Sequence, residues 1–303
     1  SPSRGLGDVY KRQRPIMEMG SRRTNEQSAV TSARAAYIAG FDSTSNMEAS
    51  LRYGIPAAGT AAHAWTLLHT DPDGTPNEKA AFKAQIDSLG VGTTLLVDTY
   101  DITQGVANAI EVAGPELGGV RLDSGDLGIM SRRVRAQLDG LGAYNTKIIV
   151  SSDLDEFAIA GLRGDPVDGF GVGTSVVTGS GTPTAGLVYK LVEVDGVPVA
   201  KRSSGKQMKG GAKSAVRTYR STGVAVDEII YPQSNPPENP TALDYRELVI
   251  PLMRDGEIVD GQEDLEASRE HLAKQRETLP WEGLSLSRDE PAVRTRLIGF
   301  PEE

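Results

Sequence analysis

From about Gln27 the chain repeats one unit: a short apolar run, a polar loop, then a stretch with helical spacing. The run "TTLLVDTYD" ends in Asp98 and Asp101, and "ITQGVANAIEVAG" follows with Val106, Ala109, Ile110 and Ala113 on one face and Gly114 as its stop. "GGVRLDSGD" leads into "LGIMSRRVRAQLDGLG", a predicted helix with Ile129, Val134 and Leu138 on one face and Gly140 at its end. "TKIIVSSD" leads into "LDEFAIAGLRG", and "VDGFGVGTSV" closes the series with a Gly-rich loop. Upstream, "AAYIAGFDSTSN" and "YGIPAAGTAAHAWTLL" read as two more units. About six βα repeats between Met17 and Val177 predict parallel strands joined by right-handed crossovers. A closed or nearly closed βα barrel suits this grammar better than an open doubly wound sheet. No G-x-G-x-x-G follows the first strand to favour a dinucleotide fold.

The grammar changes near Leu187. "GLVYKLVEVDGVPVAKRS" predicts a hairpin turning at Asp195-Gly196, and "YRELVIPLMRDGEIV" a second at Asp255-Gly256. "YPQSNPPENP" separates them as a linker, and "DLEASREHLAKQRETLP" predicts a polar helix stopped by Pro280. The expected organisation is a non-native leader over 1–13, a βα barrel core over 14–186, and a smaller, partly antiparallel region over 187–303. The leader has no initiator Met and no apolar core of a secretory signal.

Composition narrows the function. A net charge of −9 argues against generic nucleic-acid binding. No apolar run reaches the roughly 18 residues of a membrane span. The absence of Cys excludes a disulfide framework and a Cys zinc ribbon, and agrees with a cytoplasmic setting.

In βα barrels the functional groups gather where strands end. Those ends carry Ser21, Arg22 and Arg23; Asp42, Ser43, Thr44 and Ser45; Thr60 and His63; Asp98 and Asp101; Arg121, Asp123 and Asp126; Ser151, Ser152 and Asp153; and Gly171, Gly173 and Thr174. Asp126 and Asp153 read equally well as helix N-caps. Arg121 and Asp123, two apart, share one side of a strand and read as functional. For His63 the pattern leaves a structural and a catalytic role open, whereas His69 and His271 read as solvated. "GFGVGTS" is the phosphate candidate, through converging backbone N–H groups and a helix start. "AKRSSGKQMKGGAKSAVR" is either an anion-holding segment or a solvated hairpin. Cations, carboxylates and a phosphate loop together suit a sugar-phosphate or nucleotide substrate.

Eight motifs in order, "EMGSRRT", "GFDSTSN", "GTAAHAW", "LLVDTYD", "GVRLDSGDL", "VSSDLDE", "GFGVGTS" and "KRSSGKQMKGGAK", resemble the nicotinate phosphoribosyltransferase family over roughly Arg14 to Leu297. The resemblance implies an irregular α/β barrel of the type II phosphoribosyltransferase kind with a small second domain. It implies transfer of the phosphoribosyl group of phosphoribosyl pyrophosphate to nicotinate, coupled to ATP hydrolysis and requiring Mg2+, in a homodimeric parent enzyme of NAD salvage. It implies that His63 is transiently phosphorylated, that Arg121 lies at the pyridine ring and Asp123 near the ribose. It also implies that Arg22 contacts phosphate and that Gly171, Gly173 and Thr174 bind the 5′-phosphate. Asp42, Thr60, Asp98 and Ser152 complete the expected substrate-binding set. The family carries a segment ahead of "GSRR" that this sequence lacks, so an inactive fragment is one expectation. Nicotinamide or quinolinate phosphoribosyltransferase and a non-catalytic nucleotide-binding module are the alternatives.

Overall fold

The computed structural model describes residues 14–184, 186–203, 206–237, 243–259, 264–287 and 290–300. The leader 1–13 lies outside them. Two compact units divide after Thr184.

The first unit is built on a six-stranded sheet in the order β2-β1-β6-β5-β4-β3. Its strands are β1 (Ile16–Glu18), β2 (Ser43–Thr44), β3 (Thr94–Leu96), β4 (Gly119–Leu122), β5 (Lys147–Val150) and β6 (Gly169–Val172). Every pairing is parallel, and β1 lies between β2 and β6. This order is the chain order wrapped into a ring and cut once, between β2 and β3. The result is a curled barrel wall with one seam. At the seam the "YGIPAAGT" segment was expected to add a strand. It contributes a single parallel bridge, Thr44 to Ala57. Pro56 has no N–H to give a ladder, and the Ala and Gly around it bury too little to hold one.

Helices α1 (Glu26–Ile38), α2 (Met47–Tyr53), α3 (His63–Leu67), α4 (Glu78–Leu89), α5 (Ile102–Ala113), α6 (Leu127–Gly140), α7 (Glu156–Gly161) and α8 (Thr174–Thr178) intervene. Asn25, Asn46, Asn77, Asp101, Asp126 and Asp155 cap six of them by accepting a backbone N–H two or three residues into the helix. Thus Asp126 is a cap, whereas Asp155, not Asp153, caps the helix after β5. In α5 the spacing holds: Val106, Ala109 and Ile110 are buried. In α6 the buried face is Ser131, Val134 and Leu138, and Ile129 is exposed. Five residues separate Ile129 from Val134, which turns it about 140° away at 3.6 residues per turn. The helix ends at Gly140 as expected, and Gly142, with φ of +79°, turns the chain away. One apolar core runs between helices and sheet, through Phe82, Leu95, Val97, Leu122, Leu138, Ile148 and Phe170. Strands β4 and β6 are buried at every position, as a parallel sheet covered on both faces requires.

In the second unit, Asp195-Gly196 and Asp255-Gly256 all have positive φ and turn the pairs β7 (Glu193–Val194) with β8 (Val197–Pro198), and β14 (Met253–Arg254) with β15 (Glu257–Ile258). The pairs are two residues long, shorter than expected. Between them stands a short pair, β9 (Arg202–Ser203) with β10 (Lys206–Gln207). A four-stranded sheet not foreseen in the sequence joins β13 (Asp244–Glu247), β11 (Lys213–Tyr219), β12 (Ala225–Pro232) and β16 (Arg294–Leu297) in that order. Tyr245–Glu247, expected in the second hairpin, pairs with β11 instead. Helix α9 (Leu265–Glu277) starts on its Asp264 cap and ends three residues before Pro280.

Candidate active site

The site lies where β3, β4 and β5 end and the seam segment leads into α3. Arg121 is part of β4, with its side chain 10 % exposed. Its Nε donates to Ser151 Oγ at 2.8 Å, its Nη1 donates to Thr60 Oγ1 at 2.8 Å, and its Nη2 lies 3.2 Å from Asp123 Oδ1. A guanidinium has five N–H donors. Two donate hydrogen bonds, to Ser151 and Thr60, and Nη2 meets Asp123 as an ion pair, which leaves an N–H on each Nη without a hydrogen-bond partner among the described residues. Ser151 Oγ also donates to Asp123 Oδ1 through a short bond. The i, i+2 spacing on an extended chain brings Arg121 and Asp123 together on one side.

Asp98 supports this arrangement from beneath. Its side chain is 1 % exposed, and its Oδ2 accepts from the Asp123 backbone N–H and from Ser124 Oγ, each at 2.8 Å. Its Oδ1 is buried without a partner. His63, first residue of α3, places Nε2 3.9 Å from both Asp98 Oδ1 and Asp123 Oδ2, while Nδ1 lies 3.1 Å from Thr99 Oγ1. A hydrogen bond needs about 3.2 Å or less, so a small swing of the imidazole would give Asp98 Oδ1 its missing donor. His69 is a packing residue, with Nδ1 2.8 Å from the Trp65 carbonyl and its ring against the indole.

The remaining expected residues divide. Arg22 follows β1 in a 3-10 turn, Ser21–Arg23, at the same end of the sheet and exposed. Ser152 and Asp153 follow β5 with φ of +109° and +44°, and Asp153 accepts from Thr174 Oγ1 at 3.2 Å. Strain at two consecutive non-glycine residues costs on the order of 1–3 kcal/mol each and concentrates at functional corners. Asp42 is elsewhere. It precedes β2, and its Oδ2 accepts from the Ile16 N–H at 2.9 Å, at the end of the sheet where strands begin. Asp42, expected at a strand end with the substrate-binding set, lies away from the group around Arg121, because "GFD" enters the strand that it was read as leaving.

Gly171 is likewise inside β6, paired with Met17. A Cβ there would stand 2.5 Å from Met19 Sδ, so the missing side chain makes room for Met19. The loop proper is Gly173, which a Cβ would press to 2.9 Å from the Met19 carbonyl oxygen, and Thr174 at the start of α8. In the basic stretch, Arg217 is committed to Glu228 across β11 and β12 at 2.5 Å. Burial lowers the pKa of Lys213, with Glu193 opposing that shift.

Sequence reasoning placed Ser151 at a strand end but gave it no role, and passed over Thr99 and Glu18. Ser151 is found by register: Arg121 pairs with Ile149 and Leu122 with Val150, so the next step sets Ser151 beside Asp123. Thr99 was legible only as the neighbour of Asp98. Glu18 is 1 % exposed, accepts from Gly20 N at 2.5 Å and Thr44 Oγ1 at 2.6 Å, and ties the ends of β1 and β2 together. A separate cleft of about 490 Å³ is lined by Asp71, Glu78, Tyr100, Asp101 and Asn108. Burial there raises the pKa of Glu78, the Asn108 hydrogen bond opposes the rise, and the Asp101 charge adds to it.

Comparison with known proteins gives this arrangement a family. The model of the nicotinate phosphoribosyltransferase (NAPRTase) family matches residues 15–225. The chain is 57 % identical over 287 residues to nicotinate phosphoribosyltransferase pncB1 of Mycobacterium tuberculosis, covering 94 % of this chain and 63 % of that protein. It thus spans somewhat under two thirds of the length of that relative. Among solved structures, it is similar to the nicotinate-nucleotide pyrophosphorylase of Pyrococcus furiosus, with a TM-score of 0.74 and 28 % identity over 88 % of this chain and 66 % of that one. Human nicotinic acid phosphoribosyltransferase shares the fold, with a TM-score of 0.73 and 24 % identity over 97 % of this chain and 70 % of that one. The matched span contains every strand of the curled sheet and each residue around Arg121, Asp123 and His63; the chain belongs to the nicotinate phosphoribosyltransferase family.

Proposed function

We propose that the protein transfers the phosphoribosyl group of phosphoribosyl pyrophosphate to nicotinate, giving nicotinate mononucleotide and pyrophosphate, in the salvage of NAD. The observation that carries this reading is the state of Arg121. Its Nε and Nη1 are hydrogen-bonded to the protein, its Nη2 is ion-paired with Asp123, and each Nη keeps an N–H without a hydrogen-bond partner among the described residues. Two N–H groups on neighbouring nitrogens match the two oxygens of a planar carboxylate. A carboxamide offers one acceptor and brings two donors of its own, so the same fork favours the acid over nicotinamide.

Beside the ring site, Asp123 has one oxygen engaged by Ser151 and Arg121, and its Oδ2 faces His63 at 3.9 Å. In the reaction the bond from the anomeric carbon to the pyrophosphate oxygen breaks with its electron pair. The pyridine nitrogen lone pair then forms the new C–N bond. The ribose is cation-like between these events, and a fixed carboxylate nearby stabilises that charge. The Asp123 Oδ2 edge suits this role, with Asp98 holding the Asp123 backbone in place through its N–H.

No three His, Cys, Asp or Glu side chains converge as a metal cage among the described residues. Mg2+ commonly enters on substrate phosphates and takes only one or two carboxylates from the protein, a demand that Asp123 fits with its side chain 20 % exposed. Bound there, the ion would supply charge neutralisation for the departing pyrophosphate. ATP coupling is read through His63. Its ring is 42 % exposed, with Nε2 turned toward the two carboxylates. A phosphoryl group on that ring would set like charges together and force the site to rearrange.

The test is product formation by the purified chain from phosphoribosyl pyrophosphate and Mg2+, with nicotinate, nicotinamide or quinolinate, and with or without ATP. Nicotinate mononucleotide made in preference to the other two products, and more of it with ATP, supports the proposal. Turnover of nicotinamide or quinolinate in preference to nicotinate refutes it.

A further inference from the structure

Arg121 and Asp123 are joined by a third side chain, Ser151, which is 4 % exposed. Its hydroxyl accepts the Arg121 Nε–H at 2.8 Å and donates its own proton to Asp123 Oδ1. We propose that Ser151 is a positioning residue that fixes the roll of the Arg121 guanidinium and thereby sets the preference of the site for a carboxylate substrate. This rests on the nicotinate reading above.

The argument is one of competing pairings. An arginine and a carboxylate in contact tend to close two parallel N–H···O bonds. Here that pairing is not closed: the Arg121–Asp123 contact is single, Nη2 to Oδ1, at 3.2 Å. Ser151 holds Nε, the nitrogen that commonly joins Nη2 in such a fork, and it also bonds to Oδ1. Thr60 holds Nη1 from the other side at 2.8 Å. The two hydroxyls thus restrain the plane of the guanidinium, keep one N–H on each Nη for the substrate, and leave Asp123 Oδ2 outside the ion pair. A hydroxyl suits this place because it accepts and donates at once and carries no charge.

Without the hydroxyl, Nε–H is buried with no acceptor. The cheapest repair is for the guanidinium to turn onto Asp123 and pair with it through both oxygens. That movement withdraws donors from the substrate and engages Oδ2.

Ser151→Ala is therefore expected to raise KM for nicotinate by about tenfold or more, the size of a lost charged hydrogen bond, and by a larger factor than KM for phosphoribosyl pyrophosphate. A merely structural role would shift both KM values together. In an Arg121→Ala background, Ser151→Ala should cost nothing further, because its effect runs through Arg121. Losses that multiply in the double variant overturn the proposal. A second readout needs no turnover. The Arg121 Nε–H resonance, assigned by its disappearance in Arg121→Ala, should exchange slowly with water in the parent chain and quickly in Ser151→Ala. Equal protection in both chains overturns the proposal. Absence of nicotinate turnover by the parent chain, with this difference in exchange present, counts against the activity and supports the positioning role of Ser151.

Discussion

At the scale of single residues, the site consists of polar groups that satisfy one another and leave a few atoms free. His63 meets Asp98, Thr99 and Asp123, and it is half exposed. His63→Ala is expected to abolish the ATP stimulation of transfer while slow ATP-independent transfer continues, as initial rates with and without ATP would record. Unchanged stimulation would remove His63 from the coupling step. Glu78 gives a prediction of a different kind. Burial raises its pKa above the ordinary 4.5, so ionising it costs more in the folded chain than in the unfolded one. The folded state then binds the proton more tightly, and stability falls as pH rises from the unfolded value through the raised folded one. Glu78→Gln keeps an acceptor for the Asn108 Nδ2 bond and removes the ionisation. Denaturant unfolding should find the variant more stable than the parent at pH 7, with the gain vanishing below about pH 4. These roles were partly legible. Arg121 and Asp123 declared themselves by a two-residue spacing on an apolar run. Ser151 was visible as a strand-end residue, but its link to Arg121 and Asp123 was not, because it comes from the neighbouring strand.

At the scale of elements, glycines record where helix and sheet press together. Gly105 lies inside α5, where a Cβ would stand 2.2 Å from the Val97 carbonyl oxygen. Gly140 ends α6, and a Cβ there would meet nothing within 4 Å. Alanine is favoured over glycine in a helix by about 1 kcal/mol, whereas forcing atoms into a packed contact costs about 1–3 kcal/mol. Gly140→Ala is thus expected to raise the melting temperature slightly and Gly105→Ala to lower it clearly. Calorimetry on both variants checks the contrast. Equal effects would mean that α5 can move away from β3. The helical spacing of α5 and its Gly114 stop were evident from the sequence alone. The displaced face of α6, the entry of "GFD" into β2 rather than its exit, and Gly171 within β6 were not. Each depends on register against a neighbour, and a shift of one or two residues leaves the local pattern unchanged.

At the scale of the whole molecule, the first unit has a core of its own, and every core residue from Phe82 to Val172 lies ahead of the division at Thr184. A chain of residues 14–184 is expected to unfold in one cooperative heat-absorbing transition, as an independent domain does. A broad, non-cooperative profile would show that this unit draws stability from the rest of the chain. Among the described residues, no helix is long and apolar enough to cross a membrane. The second unit was harder to foresee. Its hairpin turns were visible as Asp-Gly pairs, while in the other sheet β13 reaches β11 across about thirty residues and β16 reaches β12 across 67.

By itself the sequence determined the alternation of strand and helix, the parallel grammar of the barrel wall, the cap at Asp126, and the family through the order of its motifs. These follow from local periodicity and from residue types with few alternative uses. Only the tertiary structure decided which strand ends face one another, that the wall has a seam between β2 and β3, and that Thr60, Arg121, Asp123 and Ser151 form one hydrogen-bonded group. Such groups depend on distances between residues up to about sixty positions apart. Those distances are set by strand order and register, which emerge only when the apolar faces close on a common core.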